Sequence, residues 1–571
     1  MDKFLKIGFL LLLGLVLQNL IAQSIYLQSR FIETNKSNIK TFNKQADILT
    51  YLEELVKKKQ NAGYWQYSVD SFYCTKDTCF AQIFEGNKHF LQSNISVGKK
   101  TTQLDFLKLK VQLDKQLQKL ENSGYPFAQI LQDSIHLNKD SISIAYKIDT
   151  GQLILVDSFI NHENARISKG FIQNYIGIKS GKPYNESKIV EIDKLLAKLP
   201  YTELKQPSDI YFHEDKADIH LYLKKRKVNK FDFIVGFLPN SSNSNKLMIT
   251  GEARIHLQNA FKRGEELFFE WTRLHPNTQR LNLKFQYPFL LNTQLGINTS
   301  FQLEKRDSTS LDLNLNLGVP YFFKTNNYFK GFYKYAQTII LQADTNFVKS
   351  FKRLPGNLDA TYNQYGVELY FETLDYLLNP RKGVELRVST SVGTKKLKTN
   401  NQILAINSND GFNYPALYDS IKKKSLKAEL FWNINYYLSF GKRSTIKMSQ
   451  NGGSVFNNNI LRNELLRIGG NKLLRGFDEE SIYASTYIVN TLEYRLLLQK
   501  NAYMSVFYDF AYVREQFQQQ IKNNFPFGFG IGINFESKIG IFGLSYALGQ
   551  QKNQPISFRN SKIHFGYVAL F

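Results

Sequence analysis

Few residues in this chain combine the type and spacing that chemistry demands. Cys74 and Cys79 are its 2 cysteines, with four residues between them in Tyr-Cys-Thr-Lys-Asp-Thr-Cys-Phe, a stretch that reads strand, turn, strand. In an oxidising compartment they could staple that turn as a disulfide; two free thiols are the alternative. Two thiols with no nearby His or second Cys pair fall short of the four ligands of a zinc site. The 8 His (His89, His136, His162, His213, His220, His256, His275 and His564) are scattered, which suits surface positions better than a metal centre. No Gly-x-Ser-x-Gly elbow, phosphate-binding glycine loop or His-Glu-x-x-His motif occurs. The expectation is a protein that is not an enzyme, with no cofactor and no metal.

Charge in apolar surroundings is the remaining signal. Glu493 lies in Thr491-Leu492-Glu493-Tyr494-Arg495, and Asp509 in Phe507-Tyr508-Asp509-Phe510-Ala511. If the second segment is a strand, Met504, Val506, Tyr508, Phe510 and Tyr512 share one face, which turns Asp509 to the other with Ser505, Phe507 and Ala511. Glu493 is likewise opposite in face to Leu492, Tyr494 and Leu496. A carboxylate in such a wall is costly unless a cation meets it.

Both segments belong to a long region of period two. From Asn229 onward Phe231, Phe233, Val235 and Phe237 alternate with Asp232, Ile234, Gly236 and Leu238; later Phe527, Phe529, Ile531, Ile533 and Phe535 alternate with Gly528, Gly530, Gly532 and Asn534. The apolar set needs a hydrophobic surround that no helix here supplies, and that surround should be lipid. Turn signals cut residues 229–571 into sixteen strand candidates, the fifth starting near 292 and the fourteenth near 525. Sixteen is even, as a closed single-chain barrel requires. Connections at 288–292 and 440–442 are short, whereas 343–360, 394–423 and 452–484 are long and should lie on the opposite, outer side. A soluble β-sandwich is the competing reading of any alternating chain.

Composition narrows the class. With 571 residues, 43% of them hydrophobic, disorder is excluded, while a mean hydropathy of -0.33 is too low for a bundle of transmembrane helices. One apolar run, Ile7 to Leu17 behind Lys3 and Lys6 and before Ala22, reads as a secretory signal peptide over residues 1–22. The net charge of +24 would suggest nucleic acid in a cytosolic protein. In an exported chain no nucleic acid is expected, and an anionic envelope surface is the fitting partner.

Three units of about 65 to 75 residues repeat between the leader and the alternating region: 23–87, 88–150 and 151–228. Each shows an amphipathic helix, a turn and two strands. Ile48, Leu49, Leu52, Leu55 and Val56 end at Gly63-Tyr64; Leu107, Leu109, Val111, Leu113, Leu117 and Leu120 end at Gly124-Tyr125; Ile189, Ile192, Leu195, Leu196 and Leu199 end at Pro200-Tyr201.

This order, preceded by strands such as Leu153 to Ile160, resembles the POTRA domain of outer-membrane assembly proteins. The third unit carries the fullest match, Phe171-Ile172-x-x-Tyr175-Ile176-Gly177-Ile178-x-x-Gly181-x-x-Tyr184. The end of the chain, Ile563 to Phe571, resembles the sorting signal of outer-membrane barrels, with its terminal Phe571 on the face of Ile563, Phe565, Tyr567 and Ala569. Arg467-Ile468-Gly469-Gly470-Asn471-Lys472-Leu473-Leu474-Arg475-Gly476-Phe477 resembles the Arg-Gly-Phe/Tyr loop motif of the BamA/TamA superfamily, and Asn379-Pro380-Arg381-Lys382-Gly383 its Pro-Arg-x-Gly turn. Ala511 stands where that family's Phe-x-Asp-x-Gly form has Gly. The resemblance implies that the loop folds back into the lumen and that Arg475, Gly476 and Phe477 meet the next two strands at Glu493 and Asp509. Guanidinium suits two carboxylates better than an ammonium does.

The fold expected is thus α+β, three periplasmic POTRA-like repeats followed by an all-β, 16-stranded antiparallel transmembrane β-barrel over 229–571, closest to TamA-type organisation. The resemblance further implies an outer-membrane protein of a Gram-negative bacterium, with its repeats in the periplasm. Its function would be to receive unfolded outer-membrane or secreted client proteins and insert or translocate them. The alternative is a dedicated two-partner secretion pore exporting one passenger. Partners would be the lipid bilayer and lipopolysaccharide, the clients, and periplasmic or lipoprotein accessory subunits. Clients would enter at a weak seam between the first and last strands, marked by Gly236, Gly566 and Phe571, where the two glycines remove side-chain packing.

Overall fold

The computed structural model describes residues 25–95, 102–104, 106–138, 141–239, 247–275, 278–306, 309–376, 379–407, 411–419, 421–471, 473–517, 520–537, 540–552 and 554–569. The leader at 1–22 and Phe571 lie outside the described residues. Contacts divide the chain into two compact units, the first comprising Met1–Val156 with Gly181–Ser187 and Phe212–Ala217, the second the remainder.

Two four-stranded sheets of identical order build most of the first unit. In one, Ser37–Phe42, Ile25–Phe31, Thr78–Phe84 and Ser68–Cys74 lie side by side; in the other, Thr102–Leu104, Phe90–Ile95, Ser141–Asp149 and Gln129–Asn138. The central pair is parallel in both, so a helix must carry the chain between its strands. Those helices are Gln45–Asn61 and Phe106–Glu121. The first buries Ile48 and Leu52 against Leu27, Cys79 and Ala81, while Leu49 of the same stretch is exposed.

Both helices end on a left-handed glycine, Gly63 (φ +102°) and Gly124 (φ +105°), after which the Tyr64 and Tyr125 amides close onto the carbonyls of Lys59 and Leu120, each at 3.1 Å. The Gly63 carbonyl then accepts the His89 amide, where the second sheet begins, and the Gly124 carbonyl accepts Ile154, each at 2.8 Å. Cys74 faces Cys79 across the Ser68–Cys74 and Thr78–Phe84 hairpin, and the two are joined as a disulfide.

The region from Leu155 to Lys225 differs in its helices. Helix Lys169–Ile176 starts on Ser168, whose hydroxyl accepts the Phe171 amide, and stops at left-handed Gly177. The stretch with Ile189, Ile192, Leu195 and Leu196 is two short helices, Glu186–Ile189 and Ile192–Leu196, rather than one. A three-stranded sheet follows in the order Asp209–His213, Lys216–Leu221, Leu155–Asn161.

The second unit is dominated by one antiparallel sheet of seventeen strand segments running in chain order from Lys230–Pro239 to Lys562–Ala569. Gln520–Asn524 and Phe527–Ser537 both pair with the single strand Ala502–Phe517. Pro526 separates them, since proline has no amide to give the ladder. Side chains alternate as a lipid-facing wall demands: Met504, Val506, Tyr508 and Phe510 are exposed, and Ser505, Phe507, Asp509 and Ala511 are buried.

Connections on one side of the sheet are short. Those at 341–359, 398–423 and 457–485 are long and share the other side. They fold rather than trail, burying Ala343, Val348, Ile403, Ile406, Tyr414 and Tyr418 in one cluster and Leu358, Leu397 and Leu461 in a second. Helix Lys169–Ile176 packs on the short-connection side: Phe171 meets Phe289 edge-on at 5.5 Å, the Asn174 amide donates to the Asn292 carbonyl at 3.0 Å, and Lys198 pairs with Glu372 at 3.1 Å.

Candidate functional site: a charged anchor for the longest loop

Loop 457–485 narrows to a stalk in which Leu466–Ile468 pairs with Ile482–Ala484. Gly469 (φ +116°) and Gly470 (φ +94°) then turn the chain into a tip over residues 469–481. The tip is fastened by both apolar and charged contacts. Phe477 and Leu474 are buried with Ile468, Ile482, Ala484, Val489, Ala511 and Val513, so the loop shares a core with the strands Thr486–Gln499 and Ala502–Phe517. Gly476 lies so close to the Leu548–Gly549 backbone that a Cβ would stand 2.8 Å from the Leu548 carbonyl, at a φ of +91°.

Arg475 reaches both inward carboxylates. Its Nε and Nη2 donate to the two oxygens of Asp509 at 2.8 and 2.7 Å, and its Nη1 donates to Glu493 at 2.7 Å. Its own amide adds a bond to Asp509 at 3.1 Å. The guanidinium lies 3.4 Å over the Phe507 ring, between the two acids in the wall. Planarity allows this: one fork serves Asp509 while the remaining nitrogen turns to Glu493. Asp509 is also met by the Thr491 hydroxyl at 2.8 Å, and Glu493 by Arg495 at 2.7 Å, so each carboxylate has a donor from its neighbouring strand or its own. Arg495 in turn donates to Asn379 at 3.2 Å, tying the Asn-Pro-Arg-x-Gly turn to the same network.

Several members of this site escaped the reading of the sequence. Thr491, Arg495 and His564, whose Nε2 accepts the Gly476 amide at 3.3 Å, all lie on inward faces that parity alone could have marked, as it did for Phe507. A second buried charge cluster sits at the loop's base. Glu464 is held by Lys395 and, at 3.5 Å, by Lys427, which also meets Glu429 at 3.0 Å. Lys395 and Glu464 are each only 1% exposed. The loop is therefore pinned at its base by an acid between cations and at its tip by a cation between acids. Gly236 and Gly566 stand in the first and last strands opposite Thr250 and Gly543, and among the described residues no ladder joins those two strands.

A large antiparallel sheet with a lipid-facing alternation, an α/β region before it, and a long loop anchored by an arginine between two wall carboxylates are the marks of an outer-membrane β-barrel protein. The chain belongs to the Omp85 superfamily, whose domain matches residues 259–567. Among solved structures, CdiB from Escherichia coli is similar at a TM-score of 0.53 and 11% identity, covering 92% of this chain and 98% of that one, a likeness of fold. CdiB from Acinetobacter baumannii aligns at 0.49 and 14% identity over 99% and 97%, and BamA from Haemophilus ducreyi lacking POTRA domains 1-3 at 0.44 and 15% over 82% and 94%. A search of curated proteins finds no match.

Proposed function

We propose that this chain is a non-enzymatic assembly or translocation factor of the outer membrane. Three POTRA-like units, over about residues 23–87, 88–150 and 151–228, would receive unfolded clients in the periplasm. The barrel would close with sixteen strands, Gln520–Asn524 and Phe527–Ser537 counting as one strand broken at Pro526. Clients would enter through the seam between Lys230–Pro239 and Lys562–Ala569. The observation that carries this reading is the anchored loop: Arg475 is buried between Glu493 and Asp509 rather than solvated separately from them by channel water, as the lumen charges of a passive pore would be. Such a buried pair is worth little as net stability and is better explained as a device that fixes one conformation.

Quantitative proteomics of the outer membrane and the culture medium after depletion tests it. A fall in several barrel proteins or surface lipoproteins is the expected result. Loss of one secreted polypeptide, with a normal outer membrane, would instead identify a dedicated two-partner secretion pore.

A further inference from the structure

The loop tip carries a second charged stretch, Asp478-Glu479-Glu480, that the Arg475 anchor does not use. Glu479 serves the loop itself, accepting the Asn471 amide at 2.9 Å. Its neighbours reach to different strands. Asp478 meets the Lys562 ammonium at 2.7 Å on the last strand, Lys562–Ala569. Glu480 meets Arg280 at 3.1 Å on the fourth strand, Thr278–Tyr287, where Arg280 is also held by Glu304 at 3.1 Å. Glu480 adopts a left-handed φ of +54°, a conformation a bulky non-glycine residue enters only when its surroundings hold it there. Lys562 is opposite buried Ala547, and His564, two residues on, accepts from Gly476, so both face the loop.

In the sheet order, three strands precede Thr278–Tyr287, and Lys562–Ala569 is the last. Around a closed barrel these two therefore stand on opposite sides of the seam, and the acidic turn joins them from inside. We infer that Asp478 and Glu480 form a clasp across the seam, a reading that rests on the seam proposed above. The clasp differs in kind from the anchor. Arg475 has a side chain 12% exposed, whereas Asp478 and Glu480 are 70% and 43% exposed. Exposed pairs are screened by salt and shift an equilibrium by no more than about fivefold each. The anchor keeps the loop in place; the clasp yields when a client strand competes for the seam.

The test uses the full chain in lipid nanodiscs, with spin labels at Gln279→Cys and Ile563→Cys near the outer ends of the two strands. The native cysteines are paired with each other and do not label. Asp478→Asn with Glu480→Gln should lengthen and broaden the distance distribution, and exchanging charges, Asp478→Lys with Lys562→Asp, should restore the Lys562 half of the clasp. In the labelled parent, raising salt to about 1 M should produce the same broadening. An unchanged distribution in the variant, or in the parent across the salt series should the variant fail to fold, overturns the clasp. A broadened distribution with normal client assembly in cells upholds the clasp and counts against the assembly function; an unchanged distribution with defective assembly does the reverse.

Discussion

Replacing Arg475 by Ala removes three side-chain hydrogen bonds of 2.7 to 2.8 Å and a ring contact at 3.4 Å. What remains decides the magnitude. Glu493 keeps Arg495, but Asp509, 1% exposed, is left with the Thr491 hydroxyl and the residue-475 amide. Breaking a buried pair by removing one partner costs about 3–5 kcal/mol, and the surviving donors place this case near about 3. The apolar side of the tip contributes a comparable amount, since burying a side chain such as Phe477 or Leu474 is worth about 1.5–3 kcal/mol each. Arg475→Ala should therefore leave the loop docked most of the time yet opening more often. At about 1.4 kcal/mol per decade, amide exchange over 473–481 should accelerate about 100-fold. Arg475→Lys should recover part of this, because an ammonium keeps the charge and loses the fork. Adding Phe477→Ala should release the tip outright. Hydrogen exchange by mass spectrometry on protein in lipid reads all three. Protection of the tip unchanged in Arg475→Ala would refute the anchor.

Other substitutions separate the parts of the site. Gly476→Ala, strained at φ +91° and crowded by the Leu548–Gly549 backbone, should cost about 1–3 kcal/mol and loosen the same tip amides while every charged group is retained. Glu464→Gln leaves the buried Lys395 ammonium facing only neutral acceptors, the new amide oxygen and the Asn459 carbonyl at 2.7 Å; at up to about 3–5 kcal/mol it should expose the base of loop 457–485 to limited proteolysis and spare the tip. Cys74→Ser with Cys79→Ser opens a very short loop, so denaturant unfolding of the first unit should shift by about 2 kcal/mol, with heat-modifiable gel mobility of the barrel unchanged.

Strands were legible in this sequence wherever lipid imposes alternation. Phe507 to Tyr512 declares its inward face by parity, because one residue of slip would turn Asp509 to the bilayer. Legibility fails where the backbone departs from period two. The strand expected near 292 begins at Ile297, since Phe289 and Leu291 adopt left-handed φ values of 55° and 52° and the chain turns through Leu290–Asn292 first. The segment expected near 525 is divided by Pro526, with Gln520–Asn524 paired ahead of it. The loop-base cluster of Glu464, Lys395 and Lys427 gave no local signal. Its acid lies in a single 3-10 turn, Arg462–Glu464, and its two lysines are 32 residues apart on strands whose neighbourhood only the register reveals.

The glycines that end the first two helices have a mechanical meaning. At Gly63 the joint to the next sheet is a main-chain hydrogen bond to His89, made where the backbones nearly touch and where a side chain would collide with the His89 carbonyl. A joint built from backbone has no side-chain partner to lose, so substitutions on the faces of the two sheets leave it intact. Any residue larger than glycine there acts as a wedge, forcing apart the helix end and the strand that His89 leads into.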